Sequence, residues 1–193
     1  MVNDQETANY IGTSVVLIKS TASSETYDAQ ISLDHVLIDA NGTIYGNPTP
    51  NPAEILQFTA NGTAMGFLVY GDDAYQLESG NVALSLNAAQ GGTLTLDRFN
   101  VTPLGTGQPD LGDLAIYVSN IAYLGACGSA DFCSNAAHYA FTSTGSIPDG
   151  TTATGHVLGG ILGPNGENVG ALLDASNANT VEFRGDFVAR RTP

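Results

Sequence analysis

The sequence predicts an all-β protein whose latter two-thirds closes into an eight-stranded antiparallel up-and-down barrel. Two observations support this prediction. Apolar and polar residues alternate with a period of two along most of the chain, which is typical of strands with one buried face. The chain also has 23 glycines among 193 residues, and short polar turns separate the strand candidates. A barrel would remove both exposed sheet edges. A two-sheet sandwich is the alternative, because sequence does not show whether the edges meet.

The first part of the chain is predicted to form short strands. The candidates are residues 13–20, 27–39, 42–46 and 53–60. The segment "NPTPNP" at 47–52 is a rigid, non-helical connector, because proline fixes φ and cannot donate a backbone hydrogen bond. This connector is the best candidate for a boundary between an N-terminal subdomain and the rest of the chain. It is short, so we expect the N-terminal piece to pack tightly on the part that follows.

Eight further strand candidates follow in succession. They are residues 64–71, 80–88, 92–100, 112–125, 135–143, 152–162, 167–175 and 180–190. The glycine-rich run around 155–170 indicates strong bends at barrel corners, where interior strand glycine permits close backbone approach. Pro164, Asn165 and Gly166 predict a turn, and Glu167 is positioned to accept backbone N–H bonds at that corner.

Charge, hydropathy and missing motifs together disfavour several functional classes. Five Lys and Arg residues stand against nineteen Asp and Glu, for a net charge of −14. A track for nucleic-acid phosphates is therefore disfavoured, as is binding to anionic lipid. No apolar run reaches the roughly 18 residues of a membrane helix. The motifs typical of hydrolases, metalloproteases and nucleotide-binding enzymes are missing, so we expect a protein that binds rather than catalyses.

Cys127 and Cys133 enclose five residues. This gap is too wide for a CxxC motif, so we interpret the pair as a disulfide that closes one loop and indicates an oxidising compartment. Two unrelated free thiols are the alternative.

The candidate ligand-binding residues lie in or beside this cystine loop, with Phe132 inside it. They are His138, Tyr139, Tyr123 and Phe132. A single axial His or Tyr with an apolar cradle suffices to bind haem, so His138 is the candidate metal ligand. The alternative is that these aromatic residues fill the barrel and the disulfide only stiffens a loop. His35 and His156 are further histidines that no spacing pairs into a zinc site.

The C-terminal strands resemble the closing barrel strands of transferrin-binding-protein-like surface lipoproteins of Gram-negative bacteria, a family that includes haemophores. That family has a G-x-F-x-G-P-x-A-x-E-x-G-G pattern followed by F-x-G-x-F-x-A-x-R. The matching positions are Gly160, Leu162, Gly163, Pro164, Asn165, Glu167 and Gly170, then Phe183, Gly185, Phe187, Ala189 and Arg190. The segment "GTAMGFLVYG" at 62–71 is similar to the family's first barrel strand.

The resemblance implies a β-rich "handle" of residues 1–60 packed on a barrel of residues 61–193. It also implies a monomeric protein that is secreted or displayed on the outer-membrane surface. Such a protein captures haem, or a host protein that carries iron or haem, and delivers it to an outer-membrane transporter. The alternative from a different class is a surface adhesin or structural barrel without a cofactor.

Overall fold

A computed structural model describes residues 48–124, 127, 130–177 and 180–192, together with the backbone of strands β1–β6. The first six strands are β1 (Gln5–Ile11), β2 (Ser14–Thr21), β3 (Ser24–Asp28), β4 (Ile31–Leu33), β5 (Val36–Ile38) and β6 (Ile44–Gly46). A 3₁₀ turn spans Pro52–Glu54. The remaining strands are β7 (Gln57–Tyr70), β8 (Asp73–Asn87), β9 (Gly91–Asp97), β10 (Asn100–Pro103), β11 (Leu114–Tyr123), β12 (Phe132–Ser143), β13 (Thr151–Leu162), β14 (Asn168–Ser176) and β15 (Val181–Arg191).

Eight of these strands close into an antiparallel barrel. The order around the ring is β7, β8, β9, β11, β12, β13, β14 and β15, and β15 pairs again with β7. Each strand pairs with its neighbours in chain order, apart from β10, which pairs with β8 outside the ring. The predicted up-and-down barrel is therefore confirmed, and the sandwich alternative is wrong. Closure leaves no free edge in the ring itself.

Several strand boundaries differ from the prediction. The segments predicted separately as 53–60 and 64–71 belong largely to one strand, β7, which begins at Gln57. Residues 73–79, which lie between two predicted strands, form the first half of β8, because the tight turn is confined to Gly71 and Asp72. The strand predicted over 92–100 is divided into β9 and β10, because Arg98 has a φ of 54° and breaks the extended backbone.

The N-terminal strands form two small antiparallel sheets. One contains β1, β2 and β3, and the other contains β4, β5 and β6. The single strand predicted over 27–39 is divided among β3, β4 and β5. Strands β4 and β5 lie against β14 and β15, and Pro48 forms an isolated bridge with Leu162. The N-terminal segment therefore contacts one side of the barrel wall. The division into 1–60 and 61–193 stays a prediction.

Side chains fill the interior of the barrel. The alternate residues that point inward are Leu, Val, Ile, Ala, Phe and Tyr, and nearly all of them are buried. Phe183 lies at the centre of an aromatic cluster, with ring centroids 6.1 Å from Tyr139 and 6.3 Å from Phe141. Full burial of such a side chain contributes roughly 1.5–3 kcal/mol to stability. No helix among the described residues has the length and apolar character needed to span a bilayer.

The corner after β13 forms as the sequence predicts. Gly163 and Gly166 have φ values of 93° and 69°, which the turn requires. The Glu167 carboxylate accepts hydrogen bonds from the Asn165 backbone N–H at 3.1 Å and from its side-chain amide at 2.7 Å. Glu167 therefore stabilises the turn from inside.

Candidate functional site

The predicted disulfide between Cys127 and Cys133 is present, with the two Cα atoms 5.5 Å apart. It joins the loop after β11 to the start of β12. The structure thus ties a loop to the barrel wall at the edge where the sequence predicts a binding site.

The four predicted ligand-binding residues do not share one surface. The rings of Tyr123, Phe132 and Tyr139 are buried inside the barrel, whereas His138 is exposed on the outside. His138 and Tyr139 are consecutive in an extended strand, so their side chains point to opposite faces. The three aromatic residues therefore belong to the core, and His138 does not meet their rings.

The buried tyrosines are held by hydrogen bonds that suit a core position. The Tyr123 hydroxyl donates to the backbone oxygen of Ile55 at 2.6 Å, and that of Tyr139 donates to the backbone oxygen of His156 at 2.6 Å. Burial, reinforced by the nearby Asp131 carboxylate, raises the pKa of Tyr123 to about 12. Burial also raises the pKa of Tyr139. Neither hydroxyl is poised to become a phenolate ligand.

Metal-binding groups are sparse in the part of the chain that is described. No three His, Cys, Asp or Glu side chains in those residues lie close enough to hold an ion. His156, on the outer face of β13, contacts Asp174 of β14 through Nδ1 and Oδ1 at 2.8 Å, and both side chains are largely exposed. This pair orients one imidazole on the outer wall and leaves its Nε2 facing away from Asp174. His35 lies outside the described residues.

A groove crosses the outer wall beside the disulfide. It is lined by residues 90–92, 120–122 and 133–136, and its volume is about 520 Å³. We name it the bulge groove, because two β-bulges create it. Asn120 of β11 stands opposite no residue of β9 or β12. Asn135 and Ala136 of β12 likewise stand opposite no residue of β11 or β13.

Local hydrogen bonds hold the two bulges together. Asn120 has a φ of 63°, a left-handed conformation that asparagine tolerates better than most residues. Its side-chain amide donates to the backbone oxygen of Ala136 at 2.8 Å. The backbone N–H of Ala136 donates to the Ser134 hydroxyl at 3.2 Å. The groove is therefore a built feature of the wall.

An apolar surface lies at the opposite end of the barrel, on the outside of β7, β8 and β10. Its exposed members are Phe67, at 52% exposure, and Leu104, at 53%. Val69 pairs with Ala74, and the Leu104 N–H donates to the Ala74 oxygen at 2.8 Å, so these residues form one surface. We name Phe67, Val69, Ala74 and Leu104 the Phe67 patch.

Acidic loops lie at the same end of the barrel as the Phe67 patch. Aspartates in or beside these loops include Asp72, Asp73, Asp110, Asp113 and Asp149. The loops that carry several of them are fixed to each other. The Gly145 N–H donates to the Leu111 oxygen at 3.1 Å and the Asp113 N–H donates to the Thr144 hydroxyl at 2.8 Å. Arg184, which stands opposite Phe67, pairs with Glu182 at 3.1 Å. This end therefore presents a preformed, predominantly negative rim beside an apolar surface.

Sequence reasoning missed both surfaces, although one signal for the groove was present. The four residues from Ser119 read Ser-Asn-Ile-Ala, and the four from Ser134 read Ser-Asn-Ala-Ala. Both segments interrupt an otherwise alternating strand, and a repeated Asn at such an interruption is typical of a bulge that needs a left-handed residue. The Phe67 patch has no such signal, because an outward Phe in a strand is not distinguishable from an inward one.

Comparisons with known proteins concern the whole chain. No family model and no curated protein matches it. Solved structures of transferrin-binding protein B are similar to it over 97% of its length. The isotype 1 protein from serogroup B Neisseria meningitidis has 14% identity and a TM-score of 0.47, and 35% of it is covered.

Two further structures of the same protein class give comparable values. Intact Ap-TbpB, with N and C lobes, has 11% identity, a TM-score of 0.48 and 38% coverage. A vaccine antigen from Haemophilus parasuis Hp5 has 10% identity, a TM-score of 0.45 and 37% coverage. The chain thus spans between a third and two-fifths of the length of these proteins. They bear the name of the class that the C-terminal strands resemble in sequence.

Proposed function

We propose that this chain is an exported, non-catalytic binding protein that captures a host protein carrying iron or haem. The observation that carries the proposal is the Phe67 patch beside the acidic end of the barrel. Phe67 and Leu104 each expose about half of their surface on the outside of the barrel. Exposed apolar patches with a polar rim mark protein interaction sites on soluble proteins.

The packed interior supports a surface mode of binding. Large side chains such as Phe141 and Phe183 occupy the centre of the barrel, where other eight-stranded barrels hold a small ligand. The fixed loops at the acidic end lower the entropic cost of association, because few groups need to be ordered on binding. The partner surface that fits is apolar at its centre and basic at its rim.

The resemblance of the C-terminal strands supports the class of cargo. That resemblance implies iron-protein or haem capture and transfer to an outer-membrane transporter. The five aspartates of the acidic end favour a cationic surface on whichever protein is captured, and they predict that capture weakens as salt is added.

Surface plasmon resonance with the immobilised protein tests the proposal. The probes are iron-loaded transferrin and haemoglobin, each at 50 mM and 300 mM salt. We expect one of them to bind, and Phe67→Ala to weaken that binding at least tenfold, as truncation of a central aromatic anchor does. Leu158→Ala is the matched control, because Leu158 is 49% exposed on a different part of the wall.

Two results would contradict the proposal. One is the absence of binding by both probes, which favours the adhesin or structural alternative. The other is an equal effect of Phe67→Ala and Leu158→Ala, which would place the contact elsewhere.

Direct haem binding is a second candidate, and the two outer-face histidines favour it. His138 of β12 stands opposite Thr154 of β13, and His156 follows two residues later on that same strand. Asp174 orients the His156 imidazole, in the way that carboxylates bonded to the second ring nitrogen orient metal-ligating histidines. Haem titration monitored by the Soret band tests this. Loss of the band in His138→Ala would support His138 as the axial ligand of haem. Loss of the band only in His156→Ala would assign that role to His156 of β13. The absence of a band in the parent protein would reject haem binding.

A further inference from the structure

We propose that the bulge groove binds a neutral, polyhydroxylated ligand, that is, a glycan. This site is separate from the Phe67 patch, and the inference stands independently of the proposed function. It depends on three properties of the groove: its construction, the absence of charge in its lining, and its hydrogen-bonding groups.

The construction of the groove is the first argument. Two adjacent strands each leave the regular ladder at the same level, so that Asn120 and Asn135 both lose their cross-strand partners. Gly91 has a φ of 81°, and a Cβ atom there would lie 2.7 Å from the backbone oxygen of Ile121. Bulges are over-represented next to functional sites because they redirect side chains. Here they redirect two asparagines into one concavity.

The absence of charge is the second argument. The chain has a net charge of −14, yet none of the groove's lining residues is charged. An anionic ligand would find no cation there, and a cationic ligand would find no carboxylate to compensate its desolvation. A neutral ligand does not pay this desolvation cost, because it needs no charged partner in the groove. The volume of about 520 Å³ lies within the roughly 300–1,000 Å³ typical of small-molecule sites.

The hydrogen-bonding groups are the third argument. Carboxamides both donate and accept, which matches hydroxyl groups that do the same. The side-chain amides of Gln90 and Asn135 make no hydrogen bond within the described part of the chain. Asn120 uses its amide nitrogen on Ala136 and keeps its carbonyl oxygen as an acceptor. An apolar ligand would desolvate these amides without replacing their bonds to water.

A glycan array tests the proposal. The full chain is applied to neutral oligosaccharides of glucose, galactose, mannose and N-acetylglucosamine, and the best binder is titrated by isothermal calorimetry. We expect binding that Asn135→Ala and Gln90→Ala each weaken roughly tenfold, because each removes hydrogen bonds to the ligand. The matched control is Asn61→Ala, since Asn61 is an exposed asparagine that lines a different surface pocket.

Three outcomes would overturn the proposal: no neutral oligosaccharide binds, only acidic glycans bind, or Asn135→Ala leaves the affinity unchanged. Backbone amide shifts provide a second readout, and we expect them to be confined to residues 90–92, 120–122 and 133–136. Two variants distinguish glycan binding at the groove from capture of an iron protein at the Phe67 patch, and the first is Phe67→Ala. It should leave glycan binding unchanged, whereas Asn135→Ala should leave protein capture unchanged.

Discussion

The barrel has two unlike walls. In the covered wall, formed by β13, β14 and β15, the ladders run without any register shift. Its outward residues Leu162, Asn168 and Val188 are buried, and β4 and β5 lie against it. In the open wall, formed by β9, β11 and β12, the ladders on both sides of β11 shift register. Its outward residues Tyr117 and Asn135 are exposed.

The difference shows that different walls of one closed sheet can serve folding stability and ligand binding. Where β4 and β5 cover this wall, its residues have neighbours on both faces of the sheet, so a slip in register would expose apolar groups or bury polar ones. A wall with a free outer face tolerates an extra residue, because the displaced groups meet solvent. Bulges therefore accumulate where a ligand can reach them. Substitutions in the covered wall should mainly change stability, and those in the open wall should mainly alter binding.

The largest expected effect concerns close backbone approach between β13 and β14. A Cβ atom on Gly155 would overlap the backbone oxygen of Asp174 and the Cα of Ala175, whereas a Cβ on Gly160 meets only the Asp131 carboxylate at 3.8 Å among described atoms. We expect Gly155→Ala to lower the free energy of unfolding by roughly 3 kcal/mol, because backbone atoms must move. Gly160→Ala, on the same strand, should stay within about 0.5 kcal/mol.

Urea denaturation of both variants provides the measurement. Equal midpoints for Gly155→Ala and Gly160→Ala would mean that β13 and β14 are not as close as the structure has them, and the covered wall would lose its distinguishing regularity.

The next effect is a pH dependence within the covered wall. Asp186 stands between Leu172 of β14 and Met65 of β7, and its Oδ1 has no hydrogen-bond partner. Burial raises its pKa from 3.8 to about 7. Between about pH 4 and pH 7, the Asp186 carboxyl is therefore protonated in the folded state and ionised in the unfolded state. This group's contribution to stability falls as the pH rises through that range.

Asp186→Asn removes this dependence. Each unit of pKa shift corresponds to about 1.4 kcal/mol, and after discounting for residual solvent contact we expect the variant to be more stable by roughly 2 kcal/mol at pH 8. At pH 4 the two proteins should agree within about 0.5 kcal/mol. Urea titrations at both pH values, with Asp113→Asn on an exposed loop as the charge-matched control, make the comparison. A gain of equal size at pH 4 and pH 8 would contradict the assignment.

The fold was predictable because its signal is repeated in almost every strand. Alternation of apolar and polar residues identifies one buried face, and eight such segments can satisfy their edges by closing. The boundaries were not predictable where local backbone conformation decides them. Arg98 ends β9 through a positive φ, and no residue-type preference indicates that an arginine will do so.

The sequence predicted the cystine loop correctly but not the face of the sheet on which the neighbouring side chains lie. The cystine edge is where the bulge groove lies, and Cys133 contributes to its lining. The aromatic residues chosen there point inward, because alternation indicates which residues share a face but not which face is the interior. Tyr139 shares its face with Phe141, which favoured a core position over a ligand-binding one. The asparagines that line the bulge groove owe their position to register shifts, and these arise only from the pairing of neighbouring strands.

The smallest expected effect tests whether the open wall is truly irregular. Asn120 has a φ of 63° and donates to the Ala136 oxygen at 2.8 Å. Replacement by Ala or by Gly removes this hydrogen bond equally, but only Ala places a Cβ atom in a left-handed backbone, at a cost of roughly 1–2 kcal/mol. Since glycine loses more chain entropy on folding, we expect Asn120→Gly to be more stable than Asn120→Ala by about 1 kcal/mol. Urea denaturation of the pair measures this difference directly. In a regular extended strand the order would reverse, because alanine would then lose less entropy than glycine on folding. A more stable Asn120→Ala would therefore contradict the left-handed conformation at this bulge and the distinction between the two walls.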